Sequence, residues 1–354
     1  MEADLPDGPQ SGTLGWSCPS NIALVKYWGK RPGQLPMNPS LSMTLQEART
    51  STSITYAYEP GKREGEFRFR FEGREEADFQ KRIAAYLKEL EPLLPFLSRT
   101  RLDMDSANTF PHSSGIASSA SAMGALALCL VQLEEELLGP VDREFFWQKA
   151  SRLARLGSGS ASRSIFPQFV LWGQHPMWDS SSDDYAIPVQ GIDETFLHMR
   201  DTILVVHSGP KKVSSSLGHT LMDSNPFGKV RFQQARENLE RLHRAMTEGD
   251  WNSFIAIVEE EALTLHAMMM TSRPGYLLMQ ADTLSILHLV REYREETGIR
   301  VGFTLDAGAN VHLLYARDDT PQVDAFISTE LLKYCENGLV IRDRMGQGPQ
   351  KIEQ

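Results

Sequence analysis

Cysteine is scarce in this sequence: the chain of 354 residues contains three, Cys18, Cys129 and Cys335, and they lie far apart. A disulfide framework or a cysteine-rich zinc site needs several cysteines at short spacing, so the sequence indicates neither. Such a composition is typical of a reducing compartment, and we expect the protein in the cytoplasm.

Long apolar segments and a secretory signal are also missing. The longest apolar stretch, 120–133, is interrupted by Ser, Gly and Gln, and it is shorter than the roughly 20 residues that span a bilayer. Residues 1–15 are acidic and contain several Pro and Gly, without the basic segment and apolar run of a signal peptide. We expect them to form a flexible tail.

Positive charge is not in excess, since 36 Lys and Arg face 46 Asp and Glu for a formal net charge of −10. The averaged field repels nucleic acid and anionic membranes, so we expect neither as a partner. A small anionic ligand remains compatible if cations gather locally. The sequence also lacks a Ser/His/Asp series, an HExxH zinc pair and a Gly-rich dinucleotide fingerprint.

The length and the 41% of hydrophobic residues suffice for two packed domains. In the first, predicted over 16–200, alternating segments at 52–58 and 67–71 flank Pro60 and Gly61 and predict a hairpin. Apolar spacings of three and four predict helices over 115–138 and 142–156. The second domain, 201–345, shows the β-α-β-β-α-β order of a ferredoxin-like fold, with strands at 202–207, 301–305, 310–316 and 338–341. We expect 346–354 to be a second tail.

Two serine-rich segments favour anion binding. PHSSGIASSASAMG, from Pro111, lies at a helix start, where unpaired N–H groups and the helix dipole attract phosphate; the alternative is that its serines only cap the helix. GSGSASRS, 157–164, carries Arg163, whose guanidinium can hold a carboxylate or phosphate through two bonds. The alternative here is a Gly/Ser connector with a solvated arginine.

Cations and one carboxylate occur in two further segments. NIALVKYWGK, 21–30, contains Lys26 and Lys30, which can neutralise phosphate, or can be snorkelling lysines at a strand end. TLDAGANV, 304–311, sets Asp306 against a Gly/Ala turn, where it can act as a base, or be a turn residue with a local hydrogen bond. Lys211 and Lys212, after the strand that begins at Thr202, are expected to be solvated.

NIALVKYWGK, SSGIASSASA, RLGSGSASRS and LDAGANV occur in the order and at about the separations found in the diphosphomevalonate decarboxylase family, which this chain resembles from about 16 to 341. The family belongs to the GHMP kinase superfamily. The resemblance implies an α+β fold with a left-handed βαβ crossover in the N-terminal domain, a ferredoxin-like C-terminal domain, and a homodimer. It also implies conversion of (R)-5-diphosphomevalonate and ATP, with Mg²⁺, to isopentenyl diphosphate, ADP, phosphate and CO₂ for isoprenoid synthesis.

The resemblance also implies roles for individual residues. Asp306 and Lys30 are the expected catalytic pair, with Lys30 beside the reacting hydroxyl. The expected substrate-binding residues are Tyr27, Trp28, Gly29, Lys30, Arg82, Ser158, Gly159, Ser160, Ala161, Ser162, Arg163 and Ser216. The expected ATP-binding residues are Ser113, Ser114, Gly115, Ala117, Ser118, Ser119 and Ser121, and Ser119 is the expected magnesium ligand.

Departures from the family pattern and rival functions stay open. Ala309 replaces a proline usual in the family and is expected to loosen the turn after Asp306, and Pro167-Gln168-Phe169 stands where GGF is usual. The rivals are a decarboxylase of the monophosphate, a small-molecule kinase of the same superfamily, and a phosphate-ligand sensor without catalysis. Retention of both Asp306 and Lys30 favours decarboxylation, because kinase relatives that act on mevalonate lose the pair.

Overall fold

The computed structural model describes residues 5–62, 64–110, 118–209 and 213–353. A long antiparallel pair organises the first half: β1 (Gln10–Ala23) runs against β4 (Ser40–Tyr58) over most of its length. On the other side of β4 lies β6 (Thr100–Asn108), and β5 (Glu66–Phe71) pairs with β6 in parallel after the chain has passed through α1 (Ala77–Leu90). These strands form the sheet on which the helices of this half pack.

The predicted hairpin is wrong, because β6 lies between the two strands that were expected to pair. In β6, alternate side chains such as Leu102 and Met104 are buried in the core, whereas Phe69 is the one fully buried residue of β5. The strand that buries more apolar surface therefore takes the interior position, and β5 takes the edge.

Both predicted tails are shorter than expected. Residues from Gln10 onward belong to β1, where Leu14 enters the core. Near the other end, β13 (Gln350–Lys351) pairs with Trp16 and Ser17 of β1, and Arg49 donates to the carbonyl of Gly348 at 3.0 Å. The end of the chain thus returns to the first sheet and is anchored there.

α1 contacts the edge strand β5, and a longer helix covers the centre of the first sheet. α2 (Ser118–Leu138) is apolar on almost all sides and packs on β1 and β4, as expected for a helix enclosed by a core. α3 (Arg143–Gly157) follows, and its N-cap Asp142 accepts from the backbone of Glu144 and Phe145. The predicted helix start at 115–117 falls outside the described residues.

Short strands complete this half: β2 (Lys30–Arg31) pairs with β3 (Leu35–Pro36), and β7 (Phe169–Trp172) joins β4 to β8 (Ala186–Pro188).

The second sheet has the order β10 (Val301–Leu305), β11 (Val311–Tyr315), β9 (Arg200–Leu204), β12 (Val340–Arg344), with antiparallel neighbours throughout. This is the ferredoxin-like arrangement expected from the element order. Its helices are α4 (Ser215–Leu221), α5 (Gly228–Glu248), α6 (Trp251–Met270), α7 (Ala281–Thr297) and α8 (Thr320–Phe326). In the described ranges no helix combines the length and apolarity needed to cross a bilayer.

The two halves share one core. A single apolar cluster contains Ile22 and Leu41 from the first sheet together with Leu239 and Phe254 from α5 and α6. Nearby, the buried carboxylate of Asp343 accepts three backbone N–H groups of residues 46–48 at 2.8–2.9 Å. Ala23 at the end of β1 and Asp306 after β10 line one cavity.

Candidate active site

A cavity of about 320 Å³ lies between the two halves. Its walls gather side chains from widely separated parts of the chain. Those used below are Asn21, Lys26, Tyr27, Trp28, Lys30, Gln34, Arg82, Ser119, Ser158, Gly159, Ser160, Arg163, Ser214, Ser215, His219 and Asp306.

Lys26 and Asp306 form the ion pair of this cavity. Lys26 follows the end of β1, and its Nζ lies 3.5 Å from Asp306 Oδ1 and donates to the carbonyl of Ala23 at 2.5 Å. Its side chain is 1% exposed, whereas that of Asp306 is 28% exposed. Burial lowers the pKa of Lys26, and the charge and hydrogen bond of Asp306 oppose that shift. The carboxylate therefore remains open to a ligand while the ammonium is enclosed.

The turn that presents Asp306 is closed by hydrogen bonds. Gly308 N–H donates to the Asp306 carbonyl at 2.7 Å, and Asn310 Oδ1 accepts from the backbone of His207 at 2.9 Å. Thr283 Oγ1 donates to the Ala309 carbonyl at 2.7 Å. These bonds close the turn around Ala309, so the carboxylate is presented without a proline at that position.

Arg163 is buried at the back of the cavity. Its guanidinium donates to Asn21 Oδ1 at 3.3 Å and to Ser40 Oγ at 2.7 Å. Burial lowers its pKa to about 10, a shift that Asp306 and Tyr27 oppose, so it keeps its charge near neutral pH. Both hydrogen-bond partners are neutral, which leaves the charge available to an anionic ligand.

The serine segments meet at the cavity. Ser119 Oγ, at the start of α2, lies 3.2 Å from Ser158 Oγ. Gly159, Ser160 and Arg163 belong to a 3-10 turn, Gly159–Ile165, that also faces the cavity. One pocket thus joins the two segments that the sequence singled out separately.

Some expected site residues lie elsewhere. The Ser121 hydroxyl is buried against β4, 2.6 Å from Thr50 Oγ1, and Ser162 Oγ donates within its own turn to the Gly159 carbonyl. Ala161 and Ser162 are fully buried and do not line the cavity. These side chains pack inside their own segments and not along the cavity wall, since one face of a tight turn must pack inward.

Other expected residues are not described. Ser113, Ser114, Gly115 and Ala117 lie outside the described residues, as do Lys211, Lys212 and the side chain of Ser216. Ser214 and Ser215, which precede Ser216, line the cavity. Ser118, at the first position of α2, does not.

Comparisons with known proteins identify the family of this chain. Residues 18–184 match the model of the diphosphomevalonate decarboxylase-like N-terminal domain, and 202–350 match that of the mevalonate 5-diphosphate decarboxylase C-terminal domain. Diphosphomevalonate decarboxylase of Homo sapiens is 30% identical over 86% of this chain and 76% of its own length. This chain belongs to the diphosphomevalonate decarboxylase family.

Solved structures of diphosphomevalonate decarboxylases share the fold. The enzyme from Staphylococcus aureus superposes with a TM-score of 0.83 at 28% identity, covering 97% of this chain and 99% of that chain. The complex of MDDEF with MVAPP, AMPPCP and magnesium gives a TM-score of 0.81 at 27% identity, covering 98% and 100%. The α+β fold implied by the resemblance is therefore confirmed.

The structure separates the two lysines of this segment, of which the family resemblance made Lys30 the catalytic partner of Asp306, beside the reacting hydroxyl. Lys26 contacts Asp306, whereas Lys30 Nζ donates to Gln34 Oε1 at 3.0 Å while lining the same cavity. Between them, Gly29 has a φ of +94°, and a Cβ there would lie 2.9 Å from Phe232. This turn separates the two ammonium groups, so that Lys26 points inward to the aspartate and Lys30 follows the β2–β3 hairpin.

His219 was missed by sequence reasoning. It lies in α4, with its ring 4.4 Å from that of Tyr27 and 4.6 Å from that of Trp28, and its Nδ1 accepts the Gly29 N–H at 3.0 Å. Burial lowers its pKa to about 3, with Lys30 and Arg163 adding to the shift. The ring is therefore neutral and carries its proton on Nε2. The sequence offered one signal for it: His219 lies three residues after Ser216, which was expected to bind substrate.

Arg82, which lies on α1, also belongs to the site. The sequence had indicated it only through its distance from the end of the preceding strand. It lines the cavity, and burial lowers the pKa of its guanidinium. Within the described ranges no group of three His, Cys, Asp or Glu residues is arranged to hold a metal ion. The oxygen groups that line this cavity include the Ser119 hydroxyl and the Asp306 carboxylate.

Proposed function

We propose that this chain catalyses the ATP-dependent decarboxylation of (R)-5-diphosphomevalonate to isopentenyl diphosphate, ADP, phosphate and CO₂. The observation that carries the proposal is the Lys26–Asp306 pair, which shares one cavity with Arg163 and with the joined serine segments. Relatives named for this reaction support it, as does the MDDEF complex with MVAPP and AMPPCP.

The charges of the cavity suit this substrate pair. Of its described lining residues, Lys26, Lys30, Arg82 and Arg163 are cationic and Asp306 is a carboxylate. A chain of net charge −10 therefore concentrates positive potential at one place, which attracts ligands bearing phosphates and a carboxylate. Burial of Arg163 strengthens its interaction with an anion because little water screens it.

The chemical problem is that a tertiary hydroxyl leaves poorly, and phosphorylation converts it into a good leaving group. Asp306 is placed to orient or deprotonate that hydroxyl as it attacks the γ-phosphoryl of ATP. The ammonium of Lys26 stabilises Asp306 as a carboxylate and lies close enough to offset the charge developing on the transferred group. Departure of phosphate then leaves positive character at the carbon, and the adjacent carboxylate is lost as CO₂ with formation of the alkene.

Arg163 and the serine segments orient the reactants. We assign Arg163 to the substrate carboxylate, holding the C–C bond that breaks opposite the departing phosphate. Ser158 and Ser160 belong to the same anion site, and Tyr27 and Trp28 form an aromatic wall around His219. Positioning of this kind accounts for much of the rate in phosphoryl transfer.

Magnesium fits the donor set of this cavity when it arrives with ATP. The cation prefers oxygen ligands and is commonly held by substrate phosphates with one or two protein groups; Ser119 supplies a hydroxyl, and no described carboxylate cluster competes for the ion. Bound there, the ion would neutralise phosphate charge. Ser119 is its proposed protein ligand, because it lines the cavity and Ser118 does not.

The deciding experiment measures CO₂, ADP and phosphate from diphosphomevalonate and ATP, and we expect the three in equal amounts. The same assay with the monophosphate tests the nearest rival, since a monophosphate decarboxylase would prefer that substrate. ADP without CO₂ would indicate a kinase, and ligand binding without turnover would indicate a sensor. Either result would contradict the proposed function.

Three broader assignments follow from family membership and remain proposals. They are a role in isoprenoid biosynthesis through the mevalonate pathway, a cytoplasmic location, and assembly as a homodimer.

His219 allows a test of how the substrate wall is built. We expect His219→Phe to raise the KM for diphosphomevalonate about tenfold, because the buried Gly29 N–H loses its acceptor, a loss of roughly 1–3 kcal/mol. His219→Asn, which keeps an acceptor oxygen, should recover part of the loss. Steady-state kinetics at several pH values measure this, and the effect should not vary near neutral pH because the ring is uncharged there. An unchanged KM in His219→Phe would refute the assignment.

A further inference from the structure

Lys26 and Asp306 are 280 positions apart in the sequence, one after β1 and the other after β10. A contact between side chains from two sheets depends on how both backbones are held. A displacement of about 1 Å at a reacting group can cost on the order of 10²-fold in rate. α6 makes hydrogen bonds to both backbones.

Glu261 of α6 holds the backbone of Lys26. Its Oε2 accepts the backbone N–H of Lys26 at 2.8 Å, and Arg231 and Asn238 donate to the same carboxylate, with Arg231 Nη1 and Asn238 Nδ2 at 2.9 and 2.8 Å from Oε1. Arg231 Nη2 also donates to Oε2. Glu261, Arg231 and Asn238 are each less than 3% exposed. Both carboxylate oxygens are thus occupied, and their orientation is fixed by the guanidinium fork.

His266, five residues further along α6, holds the backbone of Asp306. Its Nε2 donates to the backbone carbonyl of Asp306 at 3.1 Å. Five residues of α-helix rise by roughly 7.5 Å, so one rigid element sets the distance between the two anchored backbones. Asn38 completes the attachment by donating to the Lys26 carbonyl at 3.1 Å.

We propose that Glu261, braced by Arg231, is a positioning residue for decarboxylation: it holds the Lys26 backbone so that the ammonium meets Asp306, which His266 holds from the same helix. This inference rests on the proposed function and adds to it a residue that acts through Lys26 without touching the substrate. A purely structural ion pair between Arg231 and Glu261 would not need the backbone N–H of Lys26 as a further donor to the carboxylate.

The competing explanation is that Arg231 and Glu261 are a structural ion pair. Buried pairs of this kind often contribute little net stability, yet removal of one partner destabilises because the other charge is left unpaired. A structural role therefore predicts a loss of stability without a selective loss of turnover. α6 provides a control, since Glu259 is also buried and pairs with Arg291 at 2.9 Å and Arg294 at 2.7 Å, both on α7.

The experiment compares Glu261→Gln with Glu259→Gln. In Glu261→Gln an amide NH₂ replaces an oxygen that accepts hydrogen bonds, so a donor meets a donor and the Lys26 loop shifts. We expect kcat to fall about 100-fold with the KM for ATP within about twofold. Glu259→Gln should lose similar thermal stability and keep kcat within about threefold, because its partners lie away from Lys26.

The outcomes separate the two hypotheses. If Glu261→Gln keeps its kcat, or if Glu259→Gln loses as much, the positioning role is refuted. If Glu261→Gln does not fold, Arg231→Lys takes its place in the same comparison, since it keeps the cation but loses the bidentate brace; it should lower kcat about tenfold, and an unchanged kcat would refute the role. Wild-type enzyme is assayed alongside, and its failure to release CO₂ would contradict the proposed function instead.

Discussion

Asp306→Asn is expected to lower kcat by roughly 10³- to 10⁴-fold while leaving ATP binding measurable. The amide matches the carboxylate in size but cannot take the proton of the tertiary hydroxyl, and it removes the charge opposite Lys26, 3.5 Å away. The residues assigned to ATP belong to the segment that leads into α2, whereas Asp306 follows β10 in the other half, so nucleotide binding should persist. Single-turnover measurement of ADP and CO₂, with calorimetric titration of ATP, gives both quantities.

A matched control comes from the same sheet. Asp201 is fully buried on β9, where its Oδ2 lies 2.8 Å from His312 Nδ1. It is in register with Leu314 and Gly302 and does not line the cavity. Asp201→Asn should lower thermal stability and leave kcat nearly unchanged. Near-normal turnover in Asp306→Asn would contradict the role of Asp306. ADP formation without CO₂ in that variant would place its role after phosphoryl transfer.

The second half of the fold was the easier part to predict. The predicted strand 301–305 has the same bounds in the structure, and the predicted strand 310–316 differs from β11 by one residue at each end. Every residue of these two paired strands is buried, so each is recognisable as a short apolar run bounded by turn residues. The order of these elements then allows few topologies.

The first half shows what local patterns do not determine. Strands 52–58 and 67–71 were recognised as strands, but their pairing depended on β6, about thirty residues further on. A turn sequence between two strands favours a hairpin only if no later strand competes for the same edge. Likewise, the residues before Gly15 have little apolar character, and their place in β1 comes from pairing with β4.

In the site, sequence motifs located the loops better than the individual contacts. Arg163, Ser119 and Asp306 were named from their segments, and the structure brings them to one cavity. Glu261 was not predicted, because it acts on a backbone N–H and a single glutamate in an acidic helix carries no motif. Choosing between Lys26 and Lys30 required the path of the chain through the positive φ of Gly29.

Lys26→Met and Lys30→Met therefore form the second decisive comparison. We expect Lys26→Met to lower kcat by roughly 10³-fold, because Asp306 loses its counter-charge and the transferred phosphoryl group loses a nearby ammonium. Lys30→Met should act mainly on the KM for the phosphorylated substrate, since Lys30 lines the cavity but its ammonium donates to Gln34. Steady-state kinetics with diphosphomevalonate separates kcat from KM.

Stability provides an independent measurement for the same pair. The pKa of Lys26 is lowered first of all by burial, which means that desolvation of its ammonium opposes folding, and methionine fills the space without that cost. Asp306 remains partly solvated, so it tolerates the loss of its partner. Lys26→Met should therefore melt within about 2 °C of wild type while nearly inactive. If instead Lys30→Met loses the larger share of kcat, the reacting hydroxyl lies beside Lys30, as the family resemblance implied, and Lys26 serves only to hold Asp306.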